Sequence, residues 1–163
     1  MLIAHNQFPA TITSLRVMHC PDLNSPQGIQ SLRNIKTLNL SSNNLLSMQG
    51  LQSLTQLSSL NLSCNKIQTI PPLQMPNLRT LNLSHNRITS IKPLESLSDS
   101  RLQELDLTDN YIGELSQIKS LSELRYLRTL HFRVIGQEAK GSNPICDFSN
   151  YEITIRMHLN QLQ

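Results

Sequence analysis

Long apolar runs are missing from this chain. Nowhere do the roughly 18 consecutive apolar residues occur that a membrane-spanning helix requires, so a membrane partner is not expected. Met1-Leu-Ile-Ala lacks the basic start and long apolar core of a signal peptide. Cysteine is sparse and scattered: Cys20, Cys64 and Cys146 lie far apart, with no paired-cysteine terminus of the kind secreted repeat proteins carry. That pattern implies a reducing, intracellular setting. Aromatic residues make up only 4% of the chain, yet a core of Leu and Ile stacked in repeats needs few of them. No Gly-rich phosphate loop, His-Glu-x-x-His, Cys-x-x-Cys or Walker lysine is present, so no cofactor and no metal are expected. The basic residues have no aromatics interleaved among them, which argues against nucleic acid as a partner.

What is present is a repeat. Leu-x-x-Leu-x-Leu-x-x-Asn-x-Leu/Ile runs from Ile35 to Leu45, Leu57 to Ile67, Leu78 to Ile88 and Leu102 to Ile112, with starts 21 to 24 residues apart. Motif and period together are the signature of a leucine-rich repeat solenoid. Within each copy the short strand alternates, so that Leu60 and Leu62 point inward while Ser59 and Asn61 face the concave side. The asparagines Asn43, Asn65, Asn86 and Asn110 end the motif, and a buried amide is tolerated there only if its hydrogen bonds are met. Degraded copies extend the array to Ile12–Cys20, with Cys20 in the asparagine position, and to Leu127–Phe132, which lacks the asparagine. Atypical end repeats are expected where a stack meets water. About six rungs over 12–133 and a C-terminal cap over 134–163 therefore form a single, monomeric domain (residues 1–163). The fold class is α/β: a curved parallel sheet on the concave side and short helices or 3₁₀ turns on the convex side. Apolar spacing of three over Met48–Leu57 suggests such turns. Pro71, Pro72 and Pro76 argue for an extended third connection. The proline-free segment Leu115 to Tyr126 reads as a fuller helix, and Asn150 to Leu162 as an amphipathic one.

Charge is uneven along the array. No acidic residue occurs between Asp22 and Glu95, and ten of the eleven lie at Glu95 or later. Because repeat order is position along a solenoid, the N-terminal two thirds should carry positive potential. Lys36, Lys66, Arg79 and Arg87 form a candidate surface for acidic partners such as tubulin, or for phosphates. The bland alternative is a solvated, soluble face. On the concave side the middle rungs read Thr37, Asn39 and Ser41, then Ser59, Asn61 and Ser63, then Thr80, Asn82 and Ser84. These are small and uncharged. Charge gathers at the C-terminal end, where Glu104 and Asp106 stand beside His131 and Arg133. Either that end is a partner-binding region, or its charges pair with one another across neighbouring strands.

One column mimics catalytic order. Cys64, His85 and Asp109 share a motif position in three consecutive rungs, as nucleophile, base and orienter would, and His19 and Ser42 continue the column. The position reads as an exposed loop site where residue type is nearly free, with no oxyanion hole or pocket in view. The chain is therefore read as non-enzymatic, with a cysteine hydrolase as a remote alternative. Zinc binding by Cys64 and His85 fails because too few ligands converge.

The tail carries a family resemblance. Asn143-Pro144-Ile-Cys146 is followed by Tyr151, Ile155, Leu159 and Leu162. This resembles the cap of the short-repeat leucine-rich subclass typified by a nuclear regulatory subunit of protein phosphatase one. It is similar, too, to the cap of the spliceosomal A-prime subunit and the outer-arm dynein light chain. The inserted Ser98-Asp-Ser-Arg101 and the polar excursion from Phe132 through Gly141 to Asn143-Pro144 resemble the N-terminal domain of leucine-rich repeat and coiled-coil centrosomal proteins. That resemblance implies a docking domain at a centrosome, basal body or flagellum, with centriolar or axonemal protein partners. It implies also that the domain is cut from a longer protein in which a coiled coil follows. The chain departs from the pattern at Cys20 and at His158-Leu159-Asn160. The rival reading, a phosphatase regulator, would by resemblance carry large acidic and aromatic contacts along many concave rungs, where this chain has Ser, Thr and Asn.

Overall fold

The structure, a computed structural model, describes residues 11–134 and 142–162. Six short strands, β1 (Ser14–Arg16), β2 (Thr37–Asn39), β3 (Ser59–Asn61), β4 (Thr80–Asn82), β5 (Glu104–Asp106) and β6 (Thr129–His131), form one parallel sheet in chain order. The degraded copies of the motif supply the outer strands. Their register is unbroken: Leu15, Leu38, Leu60, Leu81, Leu105 and Leu130 lie in a single row. Two residues later Leu40, Leu62, Leu83, Leu107 and Phe132 make a second buried row. Each rung has one apolar edge and no opposite wall of its own, so its neighbours provide it. The array is the leucine-rich repeat solenoid expected from the motif.

The asparagines lock rung to rung. The Asn65 amide nitrogen donates to Leu40 O of the preceding rung at 2.9 Å and to Leu62 O of its own at 3.0 Å. Its carbonyl oxygen accepts from Leu45 N, again in the preceding rung, at 3.0 Å. Asn43, Asn86 and Asn110 repeat the scheme. In the last rung, which lacks the motif asparagine, Asn143 takes the role. It is fully buried, donates to Leu107 O at 2.7 Å and Phe132 O at 2.8 Å, and accepts from Ile112 N at 3.1 Å. Asn143, which lies outside the repeat motif, thus supplies the fifth member of the ladder.

Just before the asparagine position of the first five rungs the backbone turns left-handed. His19, Ser42, Cys64, His85 and Asp109 have φ between 54° and 57°. This corrects the expectation that residue type is nearly free in this column. L-residues with a β-carbon pay roughly 1–2 kcal/mol for this conformation; His19, His85 and Asp109 are of types enriched in it, whereas Ser42 and Cys64 are not.

The connections are 3₁₀ turns at Ile29–Ser31, Leu51–Ser53, Lys92–Leu97 and Leu115–Leu121. The fuller helix expected over Leu115 to Tyr126 is therefore a 3₁₀ segment. The reason lies in the spacing: Leu115, Ile118, Leu121, Leu124 and Leu127 recur every three residues. Three residues per turn keep them in one row against the core, whereas 3.6 per turn would rotate them off it. The third connection is extended, as its prolines require. Its Leu73 N–H is met by Ser96 Oγ of the next rung at 2.7 Å.

Beyond β6 a 3₁₀ turn, Pro144–Asp147, leads into α1 (Tyr151–His158), shorter than the helix expected over Asn150 to Leu162. Of the expected cap segment, 135–141 and Gln163 lie outside the described residues, as does the N-terminal segment weighed as a leader. Tyr151, Ile155 and Leu162 pack against the core and Leu159 is buried. The Tyr151 ring meets Phe132 edge-on, centroids 6.3 Å apart. The Cys146 thiol nearby donates to Phe132 O at 3.7 Å. Burial holds the Cys146 thiol above its ordinary 9.0 and, with Cys146 beside it, the Tyr151 hydroxyl well above its ordinary 10.0.

Asn143→Ala leaves the buried Ile112 N–H without its partner and removes one donor each from Leu107 O and Phe132 O, which keep Asn110 Nδ2 and Asn143 N. It should lower stability by about 1–3 kcal/mol, as Asn86→Ala, which leaves the Ile67 N–H unmet, should. Urea unfolding measures both, with exposed Gln68→Ala as the neutral control. Cys64, whose side chain makes no hydrogen bond among the described residues, gives the clean test of the left-handed column. Cys64→Gly should leave stability equal or raise it by up to about 1 kcal/mol, and β-branched Cys64→Val should lower it. For Cys146 and Tyr151 the folded state keeps its protons to higher pH than the unfolded chain. Their stabilisation is complete below the unfolded values and is lost as pH rises through the folded ones. The urea midpoint should therefore hold steady below about pH 8.5 and decline by about pH 10.5. Tyr151→Phe should make that decline shallower whatever it does to the starting midpoint.

Candidate docking surfaces

The concave face is built by the outward residues of the strands. In three rungs an asparagine there is already committed to the backbone: Asn39, Asn61 and Asn82 each accept from the N–H two residues on, all at 2.9 Å. Asp106 repeats this with Thr108 N at 3.0 Å, and its second oxygen lies 3.4 Å from the Asn82 amide. These side chains stiffen the exit from each strand, so the face is preorganised. Over β3 to β6 it encloses about 320 Å³, lined by residues that include Asn61, Thr80, Asn82, Glu104, Asp106, Thr129 and His131.

Of the four residues expected at the C-terminal end, three come together. Asp106 and His131 are register partners on β5 and β6, and Glu104 stands two residues before Asp106, opposite Thr129. Arg133 lies past β6 and reaches Glu152 of α1 at 3.5 Å. Both of those side chains are more than half exposed, so the pair adds little stability. Among the described residues neither Glu104 nor Asp106 enters an ion pair. Mutual pairing of the four charges across strands, one of the two readings of this cluster, is not what the structure contains.

The basic group divides. Lys36 and Arg79 precede β2 and β4, with Ser58 in the rung between them, tied by Ser58 N to Lys36 O and Arg79 N to Ser58 O, both 2.8 Å. Lys66 and Arg87 follow the ladder asparagines at the other ends of the strands, in adjacent rungs. Tyr111 continues their row, 59% exposed. Sequence reading passed over it, although the motif alignment already placed it one rung beyond Arg87. A separate recess of about 620 Å³ lies beside the 3₁₀ connections, where Lys92 and Lys119 alternate with Glu95, Glu114 and Glu123. Its charges nearly cancel.

The Cys64–His85–Asp109 column is aligned as the register requires, but only one of its contacts forms. His85 Nδ1 meets Asp109 Oδ2 at 2.8 Å, with both side chains about half exposed. Cys64 is exposed and free. All three sit on an open turn, with no enclosing wall to exclude water. Among the described residues no group of three or more His, Cys, Asp or Glu converges, and no helix is long and apolar enough to cross a membrane.

Comparison with known proteins agrees with this geometry. A search of curated proteins returns no match. Among solved structures the chain is similar to an internalin, inlF, from Listeria monocytogenes, with 23% identity and a TM-score of 0.59 over 77% of this chain. It is similar also to the functional domain of InlJ from the same organism, which includes a cysteine ladder, with 24% identity and a TM-score of 0.63 over 76% of this chain. The match spans only 36% and 26% of those two chains, and at such identity the likeness concerns the fold. The family model described as Leucine Rich repeats (2 copies) matches residues 33–75, 55–96 and 76–126, which together cover more than half of the sequence. The chain belongs to the leucine-rich repeat family.

Proposed function

We propose that this chain is a non-enzymatic docking domain that presents a rigid surface to a protein partner. The observation that carries the reading is the concave end over β5 and β6, where Glu104 and Asp106 enter no ion pair among the described residues and line a preformed hollow. Carboxylates held there without a counter-charge suit a partner with positive charge, and a rigid face keeps the ordering cost of binding low.

The finer reading comes from the tail. Asn143-Pro144-Ile-Cys146 and Tyr151 join the last rung to α1 through the ladder bonds and the Tyr151–Cys146 contact. These residues resemble the cap of the short-repeat subclass, and the inserted Ser98-Asp-Ser-Arg101 with the excursion from Phe132 to Asn143-Pro144 resembles centrosomal and basal-body repeat proteins. On that basis we place the domain inside the cell at a centrosome, basal body or flagellum, as one part of a longer protein. Its partners there are tubulin or centriolar and axonemal components. Lys36, Arg79, Lys66, Arg87 and Arg133 remain secondary contacts in this reading.

Affinity capture from an extract rich in centrioles tests it, with the chain run beside a Glu104→Lys/Asp106→Lys variant. A centriolar or axonemal protein with a basic surface should be retained by the chain and reduced at least about tenfold by the variant, the equivalent of about 1.4 kcal/mol. Acidic tubulin, matched to Lys36, Lys66, Arg79 and Arg87, should not be reduced. Equal retention of the basic protein by both would remove the concave assignment. Recovery of a phosphatase catalytic subunit instead would replace the centrosomal reading with the regulatory-subunit one.

A further inference from the structure

We propose that the edge carrying Lys66, Arg87 and Tyr111 is a second docking surface, and that its occupant is an acidic α-helix of a partner protein. The proposal rests on the docking reading above and adds a surface with a partner of defined chemistry.

The row is fixed by backbone bonds. Lys66 N donates to Leu45 O at 2.9 Å, Arg87 N to Ile67 O at 2.8 Å and Tyr111 N to Ile88 O at 2.8 Å. Each residue therefore stands one rung from the next, at the interstrand spacing of roughly 4.8 Å. All three side chains are exposed. Neither cation enters an ion pair among the described residues, and Asp109, two residues before Tyr111, is engaged by His85. Leu46, next to the residue whose carbonyl receives the Lys66 N–H, is 54% exposed. The row thus reads Asn44, Lys66, Arg87 and Tyr111 over four rungs, with Leu46 two residues beyond Asn44. Tyr and Arg are among the side chains that most often anchor interfaces.

Charge and spacing select the occupant. Two uncompensated cations in a stretch without acids from Asp22 to Glu95 favour carboxylates. Side chains at i and i+4 of an α-helix lie about 5–6 Å apart, close to the rung spacing. Over two rung steps, about 9.6 Å, helix positions i and i+8 span about 12 Å and same-face residues of an extended peptide about 13.4 Å, so the helix stays nearer to register. A helix with Glu or Asp at i and i+4 and an apolar residue at i+8 sets its carboxylates on Lys66 and Arg87 and its apolar side chain on Tyr111. A bare phosphate would meet the cations and leave Tyr111 and Leu46 uncovered.

The test is an amide chemical-shift titration of the ¹⁵N-labelled chain with a synthetic, helix-stapled peptide carrying Glu at i and i+4 and Leu at i+8. Its isomer with Glu at i and i+2 is the control. Shifts should map to Lys66, Arg87, Tyr111 and their neighbours, with binding at least about fivefold tighter than for the isomer and weakened by salt. Lys66→Glu/Arg87→Glu should abolish them and Tyr111→Ala weaken binding about fivefold. Glu104→Lys/Asp106→Lys should leave them unchanged. Equal binding of the isomer, shifts confined to the concave face, or no shifts at millimolar peptide would each overturn the proposal. If the edge gives no shifts while the concave variant still loses its partner in the capture experiment, the edge alone is wrong. If the concave variant abolishes peptide binding, the peptide belongs to the concave face and this proposal fails.

Discussion

Everything in this molecule hangs on where a carboxamide goes. A Leu-rich rung is attracted to its neighbour without direction, because burial of apolar surface is indifferent to register. The ladder asparagine is not indifferent. Asn65 and Asn86 each bond the preceding rung through both ends of the amide, donor to one carbonyl and acceptor from one N–H. A slip of one residue would leave those buried groups unmet, at about 1–3 kcal/mol each. The leucines hold the rungs together, and the asparagines decide at what height. Every row on the surface, concave or edge, inherits its spacing from that choice.

The ladder also explains the less comfortable features. The chain must reverse sharply for the amide to enter between rungs, and the left-handed residue just before it does the reversing. Cys64 tolerates that conformation poorly, and the bonds of the next residue hold it there. On the opposite side the chain must return to start the next strand within a short segment. A 3₁₀ connection rises faster per residue than an α-helix and keeps every third side chain on the core. At the open end Asn143 completes the last set of ladder bonds from a different stretch of chain, and Phe132, Cys146 and Tyr151 close over it.

Much of this was legible in the sequence. The rows of leucine, the five-member column from His19 to Asp109 and the in-plane neighbours on the concave face all follow from counting motif positions. What could not be counted was chain that leaves the motif. Asn143 sits eleven residues after Phe132, so no period connects it to Asn110, and its role appears only when the chain has folded back. The 3₁₀ segment at Leu115 to Leu121 was misread as a fuller helix because it lacks proline, although the spacing of its apolar residues already favoured three per turn. The candidate surfaces were half visible. Sequence placed Glu104, Asp106 and His131 together, but it could not show that Arg133 turns toward Glu152, since α1 reaches it through a segment with no repeat. It grouped Lys36 and Arg79 with Lys66 and Arg87 by charge, and the strands lie between them.

The same rigidity that suits this architecture to holding a partner works against chemistry. Cys64, His85 and Asp109 are aligned because the ladder aligns everything, and His85 and Asp109 do touch. Alignment is the easy part of a catalytic site. A nucleophile and base need a dry, walled position and donors aimed at a developing charge, and a one-layer stack offers an outer turn no second wall. A binding surface has the opposite requirement. It needs side chains held at fixed intervals and open to approach, which a ladder of buried amides supplies across the whole stack. Variation at the outward positions then sets what is held. Small residues in the middle of the concave face leave it neutral, Glu104 and Asp106 make its end acidic, and Lys66 and Arg87 make one edge basic. Those surfaces carry opposite charge on one rigid body, so a segment suited to one is repelled by the other.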